Sequence, residues 1–111
     1  MANKVLMPGF GGTQTQVVAG GGTGPDQIDC VRIALLVFQT TAHTTDATTI
    51  TIEETYDGTN WATLTTFSST AGTIKKLAQS SGPFGVIRVK ADGTTGSNTI
   101  TIVGLPLAFG L

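Results

Sequence analysis

Charged side chains are scarce in this chain, since Lys, Arg, Asp and Glu together make up 12% of its 111 residues. The six basic residues are scattered, and Lys75-Lys76 is their only adjacent pair. Phosphate binding needs a cluster of Lys and Arg, so the sequence argues against a nucleic-acid partner. The formal net charge of -1 and the positive mean hydropathy of +0.22 predict instead that a partner covers some apolar surface.

Residue types that carry catalysis are equally few. The single histidine, His43, has only Asp46 near it in sequence, and a metal site needs more ligands than these two. Neither a Ser-His-Asp nor a Cys-His arrangement is indicated. The adjacent Glu53 and Glu54 point to opposite faces of an extended strand. We therefore expect no enzymatic activity, no metal and no cofactor.

Other missing features further restrict the class of protein to which this chain could belong. The lone Cys30 excludes a disulfide framework, and its apolar neighbours predict a buried, unreactive thiol. The glycine run at 20–24 lacks the Gly-Lys-Ser/Thr ending of a phosphate loop and predicts a flexible linker. No stretch of the sequence approaches the ~18 consecutive apolar residues that a membrane span needs. Residues 1–10 also lack the pattern of a signal peptide. We expect the chain to stay in the cytoplasm or to leave it inside an assembly.

What the sequence does contain is a β-hairpin over residues 48–66. Ile50 and Ile52 fall on one side of an extended strand, with threonines on the other, which is the pattern of a half-buried strand. A turn at 57–60 follows, and Trp61 then opens a second run rich in β-branched residues. The alternation of Thr and Ile recurs at 98–102, so the same strand pattern is expected along much of the chain.

Turn residues divide the chain into about eight short strands, which predict an all-β fold, a two-sheet antiparallel sandwich or jelly roll without a convincing helix. The run 27–39 is apolar on both faces, and a buried helix is the alternative there. Its β-branched content favours a strand. The expected strands lie near residues 3–7, 14–19, 28–38, 48–56, 61–67, 73–78, 84–91 and 98–104.

Two terminal segments are predicted to contact a partner. Residues 1–24 are rich in glycine and read as an extended arm that orders only against a partner, ahead of a sandwich domain at 25–111. Residues 105–111 form a tail too apolar to remain free. The candidate partner contacts are the larger apolar residues of these segments, namely Val5, Leu6, Met7, Phe10, Val17, Val18, Leu107, Phe109 and Leu111.

The segment Thr55-Tyr56-Asp57-Gly58-Thr59-Asn60-Trp61 resembles a hairpin of discoidin-like sugar-binding and cell-adhesion domains, and Val86-Ile87-Arg88-Val89 resembles a later strand of those domains. That resemblance implies a glycan platform in which Trp61 and Tyr56 supply aromatic faces, with Asp57 or Asn60 as polar partners. The residues themselves favour a structural role, because Asp and Gly form the turn and the following Trp folds over the hairpin. We expect Trp61 to contribute more to folding than to ligand binding.

The whole chain resembles the small virion proteins of tailed bacteriophages. The resemblance rests on the opening Met-Ala-Asn-Lys, the Gly/Thr-rich first segment, the TYDGTNWATL hairpin and the closing GPFGVIRVKADGTTGSNTITIVG. The chain is similar to capsid decoration, or cement, proteins. That similarity implies a structural role on the capsid surface, binding to the major capsid protein and assembly as a homotrimer. A phage tail or baseplate accessory protein, or a receptor-binding sandwich module, is the alternative that the resemblance leaves open.

Overall fold

The computed structural model describes residues 3–7, 11–78 and 83–106. These ranges contain nine strands and no helix. The predicted partner contacts Phe10, Leu107, Phe109 and Leu111 lie outside the described residues. In chain order the strands are β1 (Asn3–Leu6), β2 (Gly12–Ala19), β3 (Asp26–Asp29), β4 (Ile33–His43), β5 (Thr49–Thr55), β6 (Ala62–Ser68), β7 (Ile74–Ala78), β8 (Val86–Ala91) and β9 (Ser97–Pro106).

The strands form two sheets. The five-stranded sheet has the order β1-β3-β8-β5-β6, and the four-stranded sheet has the order β2-β9-β4-β7. The predicted all-β, two-sheet sandwich is therefore confirmed, with nine strands in the described residues where about eight were expected. One pairing departs from the antiparallel prediction, because β1 runs parallel to β3 with Val5 beside Ile28.

The core lies between the sheets and is built by the period-two alternation of their strands. Ile50 and Ile52 of β5 are fully buried, as the hairpin pattern predicted. Across the sandwich, the rings of Phe38 on β4 and Phe67 on β6 stack with centroids 5.7 Å apart. The remaining buried apolar residues are Met7, Val18, Ile28, Cys30, Ile33, Leu36, Ala47, Phe84, Ile87, Val89, Ala91, Ile100 and Ile102.

The prediction of a separate arm at residues 1–24 is wrong for the part that the structure describes. Strand β1 is an edge of the five-stranded sheet, and β2 pairs with β9 over its whole length. The chain then crosses to the other sheet, where the amide of Ala91 donates to the carbonyl of Gly22 at 3.0 Å. Ladder hydrogen bonds and inward side chains order this segment within its own chain. No domain boundary falls at residue 24.

The apolar run 27–39 is two strands rather than one. A turn in which the amide of Ile33 donates to the carbonyl of Cys30 separates β3, in the five-stranded sheet, from β4 in the other. A register shift between Ile33 and Leu35 then changes the phase of β4. As a result Leu36 is fully buried while Leu35 faces outward. The two apolar faces expected for this run thus serve the core and an outer surface.

Candidate functional site

The outer face of the four-stranded sheet, hereafter the neutral face, is the main uncharged surface of the described chain. Lys76, on the edge strand β7, is its only charged side chain. Ile74, Leu105 and Val17 of this face are 54%, 45% and 58% exposed, which is high for large apolar residues. Its side chains are Thr13, Thr15 and Val17 of β2, Thr99, Thr101, Val103 and Leu105 of β9, Leu35, Val37, Gln39 and Thr41 of β4, and Ile74, Lys76 and Ala78 of β7.

Strand register arranges the neutral face in rows. One row runs Thr13, Val103, Val37 and Lys76 across the four strands, from one edge of the sheet to the other. Val37 and Val103 therefore lie side by side near the middle, and both are half-buried. β-Branched residues at adjacent positions pack well on a pleated surface. The result is an apolar centre with threonine side chains beside it on β2 and β9.

The outer face of the five-stranded sheet, hereafter the charged face, has the opposite character. Arg88 of β8 donates through Nε to Glu53 Oε1 of β5 at 2.8 Å, and Lys90 Nζ lies 3.9 Å from the same oxygen. Lys4 of β1 and Asp29 of β3 add charges on strands of the same sheet. The Arg88 and Glu53 side chains are 26% and 17% exposed, so this ion pair is partly shielded from water. The two sides of the sandwich are thus chemically distinct.

The Asp57 turn lies at the end of the charged face and is occupied by its own hydrogen bonds. Asp57 Oδ1 accepts from the amides of Thr59 and Asn60, both at 2.8 Å, and from the hydroxyl of Thr55. Oδ2 accepts from Asn60 Nδ2 at 2.7 Å. These bonds, led by the amide of Asn60, hold the pKa of the Asp57 carboxyl well below its ordinary value. Asp57 and Asn60 thus stabilise the turn, and their side chains are hydrogen-bonded to each other.

The two aromatic residues of the expected glycan platform, Trp61 and Tyr56, have different environments. The guanidinium carbon of Arg88 lies 3.9 Å from the centroid of the Trp61 ring, so one ring face is covered by a cation. Trp61 is half-buried, whereas Tyr56 is 70% exposed. The Tyr56 hydroxyl donates to the carbonyl of Pro83. A sugar would therefore find one blocked ring face and a turn whose polar groups are already paired.

The described partner-contact candidates separate into core and surface residues. Met7 and Val18 are completely buried in the core of their own chain, so their prediction as partner contacts is wrong. Val5 is half-buried on β1. Leu6 and Val17 are each 58% exposed and remain available to a partner. Val17 belongs to the neutral face, whereas Leu6 lies on the edge strand of the other sheet.

His43 and Cys30 have local structural partners. His43 Nδ1 lies 2.8 Å from Oδ1 of the buried Asn98. The Cys30 thiol is buried, and desolvation, aided by the nearby Asp29 and Glu54 charges, raises its pKa to about 12. The part of the chain that the structure describes holds no group of three or more His, Cys, Asp or Glu side chains placed to bind a metal ion. The expectation of no catalytic activity stays a prediction.

Two loops carry a pattern that sequence reasoning missed. The sequence Asp-x-Thr-Thr occurs at 46–49 and again at 92–95, and the structure brings the two copies together. Asp46 accepts from the amides of Thr94 and Thr95, and Asp92 accepts from the amides of Thr48 and Thr49. The repeated motif, which each time comes shortly before a strand containing Thr-Ile, was the sequence signal that could have predicted this pairing of loops.

No family model and no curated protein matches this chain. Among solved structures, the crystal structure of the Yersinia pseudotuberculosis-derived mitogen superposes with a TM-score of 0.48 at 12% sequence identity. The alignment covers 91% of this chain and 89% of that one. Similarity at this level carries no functional argument. The described residues include no helix of the length and apolar character needed to cross a membrane.

Proposed function

We propose that this chain is a structural virion protein that decorates the capsid of a tailed bacteriophage and binds the shell through its neutral face. The observation that carries the proposal is the contrast between the two outer faces of the sandwich. Among the described residues, one face bears Lys4, Asp29, Glu53, Arg88 and Lys90, while the other bears only Lys76 at its edge. The class of partner, the major capsid protein, comes from the resemblance of the sequence to decoration proteins.

The chemistry of the neutral face suits a lasting contact with another protein. Removing apolar surface from water contributes roughly 25 cal/mol per Å², and depletion of charge is typical of interface cores. Val37 and Val103 at the centre are half-buried, so they are held by their neighbours and offer an apolar surface on which a partner can pack. Binding of this kind depends little on ionic strength, because few charges are screened. A decoration protein bound in this way resists release by salt.

Charged substitutions on the neutral face test the proposal. Val37→Lys and Val103→Glu each place a charge at the apolar centre, and Thr51→Glu, opposite Lys90, places one on the outer side of β5 as the matched control. Particles of the encoding phage are purified after complementation with each variant, and the amount of bound chain is measured by mass spectrometry. We expect occupancy to fall at least about tenfold for the two valine variants and to stay unchanged for the control.

Two results would count against this function. The unmodified chain could be absent from purified particles, which would remove the virion assignment altogether. Alternatively, both valine variants could decorate particles normally while folding correctly, which would show that another surface binds the shell. Salt washes add a third measurement, since release of the chain at high ionic strength would indicate that the charged face makes the contact.

A second candidate is a tail, baseplate or receptor-binding module that recognises carbohydrate. The observation in its favour is the exposed ring of Tyr56 beside the Asp57 turn. A glycan array separates the two functions. Specific binding that is lost in a folded Tyr56→Ala variant, yet kept in Val37→Lys, would favour the carbohydrate module over capsid decoration.

A further inference from the structure

The free edge of β2 differs from the other three sheet edges. Strand β1 is only four residues long and carries Lys4, and β7 carries Lys75 and Lys76. Strand β6 contains a register shift opposite Ile52 and Glu53, which is a β-bulge. Short length, lysines and bulges are the features that protect sheet edges from pairing with other chains. Strand β2 has eight residues, no charge, no proline and an unbroken register with β9.

The backbone of β2 presents unpaired groups at this edge. The amide of Gly20 donates to the carbonyl of Gly96 at 3.0 Å, which continues the β2–β9 register by one position. Bonded and non-bonded pairs alternate along an antiparallel ladder, so the even-numbered residues of β2 bond to β9. Thr13, Thr15 and Val17 therefore direct their N–H and C=O groups toward the open edge. No strand among the described residues pairs with it.

We propose that β2 pairs with β2 of a second copy of this chain, antiparallel about a two-fold axis that passes through Thr15. In this register Thr15 lies opposite Thr15 of the other copy, and Thr13 lies opposite Val17. Among the described residues nothing bonds to the edge-facing backbone groups of these three residues. All three side chains lie on the same outer face, as a two-fold axis perpendicular to the sheet requires. This dimer is independent of the proposed function, and it differs from the homotrimer that the resemblance to decoration proteins implies.

Charge explains why a second copy is the occupant of this edge and why β2 is the strand used. Pairing of identical strands brings identical residues near each other, and like charges placed opposite are destabilising. Lys75 and Lys76 exclude such pairing for β7, whereas β2 has no charge to repel. Lys76 lies at the far edge of the sheet, with β4 and β9 between it and β2. The paired sheets would present one continuous neutral face across both copies.

Removal of one backbone donor tests the contact. Thr15→Pro deletes an N–H that points to the open edge, and proline is tolerated at such positions of an edge strand. Thr15→Ala keeps the N–H and is the matched control. Analytical ultracentrifugation of the full chain should show a dimer for the unmodified chain and for Thr15→Ala. We expect Thr15→Pro to weaken the dimer by about 100-fold, because both copies lose a hydrogen bond at the axis.

Charge pairing gives a second test that does not depend on proline. Thr15→Lys and Thr15→Glu should each be monomeric alone, since like charges meet at the axis, and should form a mixed dimer when combined. Thr99→Lys, on the same face but on the interior strand β9, should remain dimeric. A monomeric or trimeric unmodified chain would overturn the proposal, as would a folded Thr15→Pro variant or a Thr15→Lys variant that stays dimeric.

Discussion

Asp46 and Asp92 hold each other's loops in the same way. Asp46 Oδ1 accepts from the amides of Thr94 and Thr95 at 2.7 and 3.0 Å, and its Oδ2 accepts from the Thr94 hydroxyl at 2.9 Å. Asp92 makes the three corresponding bonds to Thr48 and Thr49 at 2.7, 2.9 and 2.9 Å. The β4–β5 and β8–β9 loops are thus joined by a reciprocal clasp of six charge-assisted hydrogen bonds at one end of the sandwich.

The clasp predicts that its two aspartates are coupled. Asp46→Asn or Asp92→Asn removes the charge that strengthens three hydrogen bonds, so each variant should lower the midpoint of thermal unfolding. The loss in the double variant should be smaller than the sum of the two single losses, because each single change already loosens both loops. Differential scanning calorimetry of the four proteins completes the cycle.

Asp26→Asn is the matched control for these variants, since the Asp26 carboxylate accepts no hydrogen bond from the described residues. Its midpoint should stay close to that of the unmodified chain. Strictly additive losses at Asp46 and Asp92 would show that the two halves of the clasp act independently. Unchanged midpoints in all variants would show that the clasp contributes nothing to stability.

Acid should destabilise the protein through three aspartates. Backbone amides lower the folded-state pKa of Asp46, Asp57 and Asp92 below the ordinary value of 3.8. A group with a lowered pKa contributes its full stability above the unfolded-state pKa and loses it as pH falls toward the folded-state pKa. Thermal midpoints should therefore be flat from neutral pH to about pH 5 and fall below pH 3.8. The double variant Asp46→Asn/Asp92→Asn should show a shallower fall, and an equally steep one would contradict this assignment.

The fold was largely predictable because its strands alternate strictly and end at clear turns. Ile50 and Ile52 face the core as their spacing predicts, and glycine turns mark most strand ends. The failures have physical causes. Glycine content suggested a free arm at residues 1–24, although ladder hydrogen bonds to a distant strand, invisible in local sequence, order β2. The bulge near Leu35 similarly reversed the face of β4, because a single extra residue shifts the period of two.

Trp61 should matter moderately for stability. Its half-buried ring stacks on Arg88, and a cation–π contact at such a site contributes about 0.5–1 kcal/mol beyond the apolar area covered. Trp61→Ala should therefore cost about 1–2 kcal/mol, less than the 3 kcal/mol or more of a fully packed ring. Urea unfolding measures the difference, and Trp61→Phe, which keeps a ring over the guanidinium, should recover part of it. A loss near zero would show that the ring is free to bind a ligand.

The candidate site was harder to predict than the fold. Exposure of Val17 and burial of its neighbour Val18 depend on which side of β2 meets the core, and both residues looked equally available in sequence. The neutral face is assembled from four strands spread between residues 12 and 106, so no local motif marks it. Its lack of charge is visible only once register places Thr13, Val103 and Val37 in one row.

Deleting residues 1–24 should unfold the protein, contrary to what a detachable arm would allow. The deletion removes β1, β2 and the buried Val18, and it exposes the long strand β9 as a new sheet edge. Val17→Ala and Val18→Ala form a matched pair that isolates the cause, because the two side chains are identical and lie on opposite faces of β2. We expect Val18→Ala to cost about 1.5–3 kcal/mol in urea unfolding, and Val17→Ala, at 58% exposure, to cost about 0.5 kcal/mol or less. Loss of dispersed amide signals in the NMR spectrum of the truncated chain would accompany these results. A truncated chain that keeps dispersed signals and cooperative unfolding would show that the remaining strands form a stable sandwich without β1 and β2.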